Sequence, residues 1–452
     1  MTPSIDETRA AISKVMPEVR TALEDLVRIP SVSADPQAAD KVLASAGFAA
    51  VMYRDAGAAE VEILQVDGGQ PAVVASWPAP AGAPTVLLYA HHDVQPVGDR
   101  SAWASEPFEP VERDGRLYGR GTADDKAGAA AHLAVLKAFE GRPPVGVTVF
   151  LEGEEELGSP TIGAFLEKYR ERLAADVIVL ADSASWAVGV PALTTSLRGV
   201  AECYVEVRTL DSAVHSGMWG GAVPDALTAL CKLLGTLHDE AGEVAVAGLA
   251  SGESDPLDLT EERVRSDAGT VEGVELLGGG ALTSRMWTKP AVSVLAIDAP
   301  RIADAVNILV PVAKAKVSLR VAPGDDADRA REALCRHLEE HAPWGVQVTA
   351  APGESGQPFA VDSAGATHQL AKQAFGAAWD HPVVDIGIGG SIPFVAAFAE
   401  TFPEADILVT AVADPDSGAH GTNESLHLGE FERYCVGEAL LLNELARTTT
   451  GG

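Results

Sequence analysis

Apolar positions along the chain recur with two different periods. Within residues 4–28, Ile12, Val15, Val19, Leu23 and Leu26 fall at helical spacing, and Ser4 followed by Glu7 reads as a capping box at the helix start. Pro17 should interrupt or restart this helix, because it lacks the N–H and crowds the preceding turn. TVLLYA at 85–90 is a continuous apolar run of strand length, the pattern of a strand covered on both faces. VGVTVFL (145–151) and DVIVLA (176–181) are of the same kind, with helical patterns at 127–139 and 160–173 around them. Strands alternating with helices predict an α/β fold with a mainly parallel sheet.

From about residue 190 the order changes. Strand 200–208, helix 223–238, strands 291–297 and 314–321, helix 327–341 and strand 346–350 form a βαββαβ series. That is the ferredoxin-like order of a separate α+β domain. The acidic, Gly-rich stretch 239–288 inside it is too long for an ordinary loop and reads as an insertion. Helix 363–376, strand 383–386, the turn 387–391, helix 392–401, strand 406–412 and helix 429–446 then restore the α/β pattern. The expected domains are 1–189 with 357–452, and an inserted 190–356.

Composition narrows the function classes. At 452 residues, two domains are the prior. A net charge of −32 repels nucleic acid and anionic membrane surfaces. No apolar run approaches the roughly 18–20 residues of a membrane span. MTPSIDETRAAISKV has neither the basic start nor the apolar core of a signal peptide, so a cytoplasmic protein is expected. The four cysteines (Cys203, Cys231, Cys335 and Cys435) show no CxxC pairing and read as buried thiols rather than disulfides or metal ligands.

The candidate chemistry sits where predicted strands end. His91 and Asp93 follow the first apolar run, Glu154, Glu155 and Glu156 the second, Asp182 the third, and His420 comes shortly after strand 406–412. Between them lies LYGRGTADDKAG (117–128), in which two acids stand side by side before a small-residue helix. Each motif has an ordinary explanation: a hydrogen-bonded interior histidine, an acidic helix start favoured by the dipole, an N-cap, a loop residue. Together they have a better one. Ligands of an open α/β sheet bind at the carboxyl ends of its strands, so residues scattered along the chain can converge there. Two adjacent buried acids would be costly without a cation beside them. A set of two imidazoles and three carboxylates, with Asp124 shared, suits two divalent ions, zinc first and manganese or cobalt less selectively. Asp93 would hold the second ring nitrogen of His91 and fix its tautomer.

These motifs carry a family resemblance. LVRIPSVS (26–33), YAHHDVQP (89–96), LYGRGTADDKAG, EGEEELGS (152–159), ADS (181–183), HSGMWGG (215–221) and HGTNES (420–425) match, in order and nearly end to end, the co-catalytic dinuclear metallopeptidases. That family includes carnosine dipeptidases, carboxypeptidase G and acetylornithine deacetylase. The resemblance implies a zinc-peptidase core with an inserted lid and dimerisation domain, hence a homodimer. It implies that His91, Asp124 and Asp182 hold one ion, and Asp124, Glu156 and His420 the other. It makes Glu155 the general base and the Asp124–Asp125 peptide cis. His215 would reach the substrate from the partner subunit and stabilise the oxyanion. Asn307 and Arg320 would hold a substrate carboxylate, and Gly390 and Ser391 would line the pocket. The expected reaction is amide hydrolysis in dipeptides or similar small carboxylate-bearing molecules. The rival expectations are an N-acyl amino acid deacylase of acetylornithine or succinyl-diaminopimelate type, and a non-catalytic binding protein on the same fold. Asp125, where those deacylases typically carry Met, and the long 239–288 insertion favour the dipeptidase.

Overall fold

The computed structural model describes residues 3–390 and 392–448. The chain divides into two compact units, Met1–Thr195 with Val361–Ile386 and Pro393–Gly452, and Ser196–Ala360 with Gly387–Ile392.

The first unit is built on a sheet whose strands lie in the order Glu60–Leu64, Ala72–Trp77, Gly146–Glu152, Thr85–His91, Val177–Leu180, Asp406–Thr410 and Ala192–Leu197. Its central strands, from Gly146–Glu152 across to Asp406–Thr410, run parallel, and the outer pairs are antiparallel. The apolar runs explain this: Val86 to Ala90 and Ile178 to Leu180 are wholly buried, as strands covered on both faces must be. Helices Ile5–Val27, Lys126–Ala138, Ala366–Trp379 and Leu428–Thr448 supply much of the cover. Parallel central strands end on one side, and His91, Glu152 and Leu180 are the last residues of three of them.

Local outcomes differ from the sequence pattern in instructive ways. Ser4 and Glu7 make the reciprocal capping box, but the helix runs unbroken through Pro17. One missing N–H is outweighed by the buried stripe Ile12, Val19, Leu23 and Leu26. The helix expected at 160–173 instead breaks at Tyr169 into Ile162–Lys168 and Arg170–Leu173. Helix Ala39–Asp55 has no sequence counterpart above, because its inner face uses Ala46, Ala49 and Ala50, which give little apolar contrast.

In the second unit the antiparallel sheet has the order Ala291–Asp298, Val312–Val321, Gly199–Arg208, Gln347–Gly356. By position in the chain that order is 2-3-1-4, the ferredoxin-like arrangement. Helices Ala226–Leu234 and Ala327–Glu340 share its core. The 239–288 insertion contains two short helices, Glu261–Ala268 and Leu282–Trp287. The thiols are not all buried: Cys231 is exposed and Cys335 half-buried against the core of the second unit, while Cys203 and Cys435 are interior. All are free, although Cys203 Sγ lies 3.0 Å from Cys335 Sγ.

Candidate active site

The loop 119–125 is shaped before it is charged. Gly121 adopts φ +82°, and a Cβ there would come within 2.6 Å of Val94 Cγ1. Asp125 then caps helix Lys126–Ala138 by accepting from Gly128 N, and its other oxygen accepts from His91 N at 3.3 Å. The Asp124–Asp125 peptide is cis. Lys126 is buried and donates to Leu26 O and Ile29 O, tying the LVRIP segment beneath this loop.

Asp124 therefore projects with its two oxygens facing different imidazoles. Oδ1 is 3.0 Å from His91 Nε2, and Oδ2 is 3.0 Å from His420 Nε2. Asp182 Oδ2 and Glu155 Oε2 lie 3.9 and 3.8 Å from His91 Nε2. Glu156 Oε2 lies 3.0 Å from His420 Nε2. Donor atoms of His91, Asp124 and Asp182 form one group close enough to hold an ion, and those of Asp124, Glu156 and His420 form another. Asp93 is buried below them. Its carboxylate accepts from Ser33 Oγ, Glu155 N and Glu156 N, fixing where both glutamates begin.

Two details show that these groups fit cations. His91 Nδ1 is 3.1 Å from Asp93 O, a partner that can only accept, so Nδ1 carries the proton. Its Nε2 then faces only carboxylates, which also accept, so something positive belongs between them. Glu156 Oε2 is buried and has no hydrogen-bond donor of good geometry. Without a cation the charges are badly placed. Burial, then the Asp182 charge, pushes Glu155 up to about 9. Burial, then the charges of Asp124 and Glu156, pushes Asp182 up to about 7. The Asp124 and Glu156 carboxylates, each 3.0 Å from its Nε2, raise His420 to about 10. Asp124 is half-buried, yet the two imidazoles hold it well below the usual carboxylate range. Such perturbation is what clustered functional groups produce.

The remaining candidates lie in the second unit. His215 is exposed, accepts from Gly217 N through Nδ1, and pairs with Ile308 in a two-stranded ribbon. Asn307 is its exposed neighbour, accepting from Ser216 N. Arg320 is half-buried on strand Val312–Val321. Gly390 is half-buried too, and Ser391 lies outside the described residues.

Several structurally important residues carried no assignment from sequence. Glu424 is fully buried and accepts from Gly121 N, Ala123 N and Asp124 N and from Arg120 Nη1. Its place in HGTNES was the available signal. Arg198, also buried, donates to Gly389 O, Arg285 O and Lys289 O. Burial and the neighbouring Arg320 charge lower Arg198 to about 10.

An α/β unit that gathers imidazoles and carboxylates at the ends of parallel strands is the arrangement of a metal-dependent hydrolase. The model of Peptidase family M20/M25/M40 matches residues 87–443, and the chain belongs to that family. It is 38% identical over 372 residues to the cysteinylglycine-S-conjugate dipeptidase of Corynebacterium striatum, covering 80% of this chain and 81% of the relative. The human Beta-Ala-His dipeptidase is 27% identical over 366 residues, covering 76% and 71%. Among solved structures, human carnosine dipeptidase 1 superposes with a TM-score of 0.76 at 25% identity, over 99% of this chain and 100% of that one. The M20 metallo-carboxypeptidase Sso-CP2 from Sulfolobus solfataricus shares the fold, with a TM-score of 0.78 at 21% identity over 95% and 99%.

Proposed function

We propose that the protein is a dinuclear-metal dipeptidase that hydrolyses the amide bond of dipeptides or similar small, carboxylate-bearing substrates. The observation that carries this reading is Asp124, whose two oxygens each lie 3.0 Å from a different histidine, between two donor groups that share it. Family membership and relatives named as dipeptidases support the same reaction.

His91, Asp124 and Asp182 would hold one divalent ion and Asp124, Glu156 and His420 the other; the mixed nitrogen and oxygen donors suit zinc. Bound there, the ions supply Lewis acidity toward the scissile carbonyl and make water more acidic. Glu155 takes the proton of the attacking water and returns it to the leaving amine nitrogen. Asp93 accepts from the Glu155 and Glu156 backbone and from His91, keeping base and ligands in register. Positive charge beside Glu155 reverses the repulsion that raises it, so the loaded site presents it as a carboxylate able to accept a proton.

In this reading residues 190–356 form a lid and dimerisation domain inserted into a catalytic domain of 1–189 and 357–452. His215 of the partner subunit steadies the oxyanion. Asn307 and Arg320 grip the substrate carboxylate, for which the planar guanidinium is suited, and Gly390 and Ser391 line the pocket. Arg320 has no carboxylate partner among the described residues, which supports an anion there. A homodimer and cytoplasmic residence complete the proposal; no helix among the described residues is long and apolar enough to cross a membrane.

The test is hydrolysis of a dipeptide panel beside N-acetyl and N-succinyl amino acids, with and without chelator. Chelator-sensitive turnover of dipeptides, far above that of the acyl amino acids, is expected. Preference for the acyl amino acids would establish the deacylase instead.

A further inference from the structure

The two donor groups are held in place by different means. His91 ends a strand whose parallel neighbours lock it, with His91 in register with Glu152. Asp182 follows the next strand, and Ala181 N bonds Tyr89 O at 3.1 Å. His420 has no such support. It is a non-glycine residue at φ +62° on the loop after strand Asp406–Thr410. Beyond turns within that loop, Arg116 Nη2 donates to the Asp414 carboxylate before His420, Asn423 bonds Ala102 and Ala104 after it, and Arg120 Nη2 donates to Gly421 O, the neighbouring residue, at 3.0 Å.

Arg120 and Glu424 join this loop to the one that carries Asp124. Arg120 Nη1 donates to Glu424 Oε2 at 2.7 Å, in a pair almost wholly buried. Glu424 Oε2 also accepts from Gly121 N, and Oε1 accepts from Ala123 N and Asp124 N at 2.9 and 3.1 Å. The Glu424 carbonyl accepts from Gly119 N at 2.9 Å. Every partner of the side chain is a donor, so both oxygens are needed as acceptors. Glutamine has the same shape but would turn an NH2 group toward two donors.

We infer that Glu424 and Arg120 are the positioning pair that ties the His420 loop to the Asp124 loop: the ion held by Asp124, Glu156 and His420 depends on both loops, and the ion held by His91, Asp124 and Asp182 only on the Asp124 loop, so the pair matters more to the first. The inference rests on the two-ion reading and adds residues that touch neither ion. Hydrogen-bond partners of metal ligands commonly change affinity without abolishing the fold.

The experiment titrates metal-stripped full-length protein with zinc by calorimetry, checked by elemental analysis, in wild type, Glu424→Gln, Arg120→Lys, His420→Ala and the His420→Ala/Glu424→Gln double variant. Wild type takes up two ions. Glu424→Gln weakens the ion at His420 by about 10–100-fold and the other ion by clearly less. Arg120→Lys, which keeps the charge but loses the grip on Gly421 O, weakens the ion at His420 to a smaller extent. His420→Ala takes up one ion, and adding Glu424→Gln weakens that ion by less than Glu424→Gln alone weakens the ion at His420. Far-UV circular dichroism establishes folding, and if Glu424→Gln does not fold, Arg120→Lys decides. Two unchanged affinities, or equal weakening of both ions, would overturn the inference while the two-ion reading stands. A wild-type stoichiometry of one would overturn both.

Discussion

At the scale of single residues, Glu155 is the sharpest test of the chemistry. It reaches within 3.8 Å of His91 Nε2 but belongs to neither donor group. Changing it to Gln should leave metal content intact and reduce kcat by about 10²–10⁴-fold, the usual contribution of a positioned base. Near-normal turnover in a metal-loaded variant would remove Glu155 from the mechanism. The ligands make a separate prediction. Asp182 is raised to about 7 and His420 to about 10 when no ion is present, so at neutral pH His420 carries a proton and Asp182 is about half protonated. Ions must displace those protons, and affinity should therefore rise from pH 6 to pH 8. Calorimetry in buffers of different ionisation enthalpy should detect the protons released; pH-independent affinity would contradict it. The ligand candidates were visible in sequence because His91, Glu156, Asp182 and His420 follow apolar runs directly or after a short loop, and Asp124 is the first of two adjacent acids before a small-residue helix. Glu424, Arg120 and Arg198 were not, since their partners are largely backbone N–H and C=O groups. Only the folded loops bring those groups to them.

At the scale of elements, the strand carrying His91 matters most. Leu88 is fully buried within it, and Tyr89 packs on Phe394 at a ring separation of 4.5 Å while donating to Glu152 Oε2. Leu88→Ala should cost about 2–5 kcal/mol in denaturant unfolding. The folded fraction should still bind its metals, because the deletion lies away from the donor atoms. A loss of metal binding without a loss of stability would show that this strand does more than hold His91. The parallel strands were legible as unbroken apolar runs, and so were the helices with strong apolar contrast. The Ala-rich helix Ala39–Asp55 was hidden by its small inner residues. Pro17 misled because local propensity was overruled by packing, and the helices of the 239–288 insertion carry too few apolar residues to show a period.

For the whole molecule, the ions and the fold should be linked. In the ion-free protein Asp182 rises from 3.8 to about 7 and Glu155 from 4.5 to about 9. A carboxyl whose folded value is raised favours the folded state below its unfolded value, and that contribution is lost as pH climbs through the folded one. His420, raised from 6.5 to about 10, acts in the same direction. Ion-free stability should therefore fall between pH 6 and pH 9, while ions, binding better as protons leave, add stability by mass action. The Tm difference between loaded and stripped protein should widen over that range. A constant or shrinking difference would contradict the charge balance described.

The central claim is that five side chains hold a pair of ions bridged by Asp124. Anomalous diffraction from zinc-grown crystals tests it most directly. The account predicts two peaks about 3.5–4 Å apart, one among His91, Asp124 and Asp182 and the other among Asp124, Glu156 and His420. A single peak, or peaks away from these residues, would contradict it.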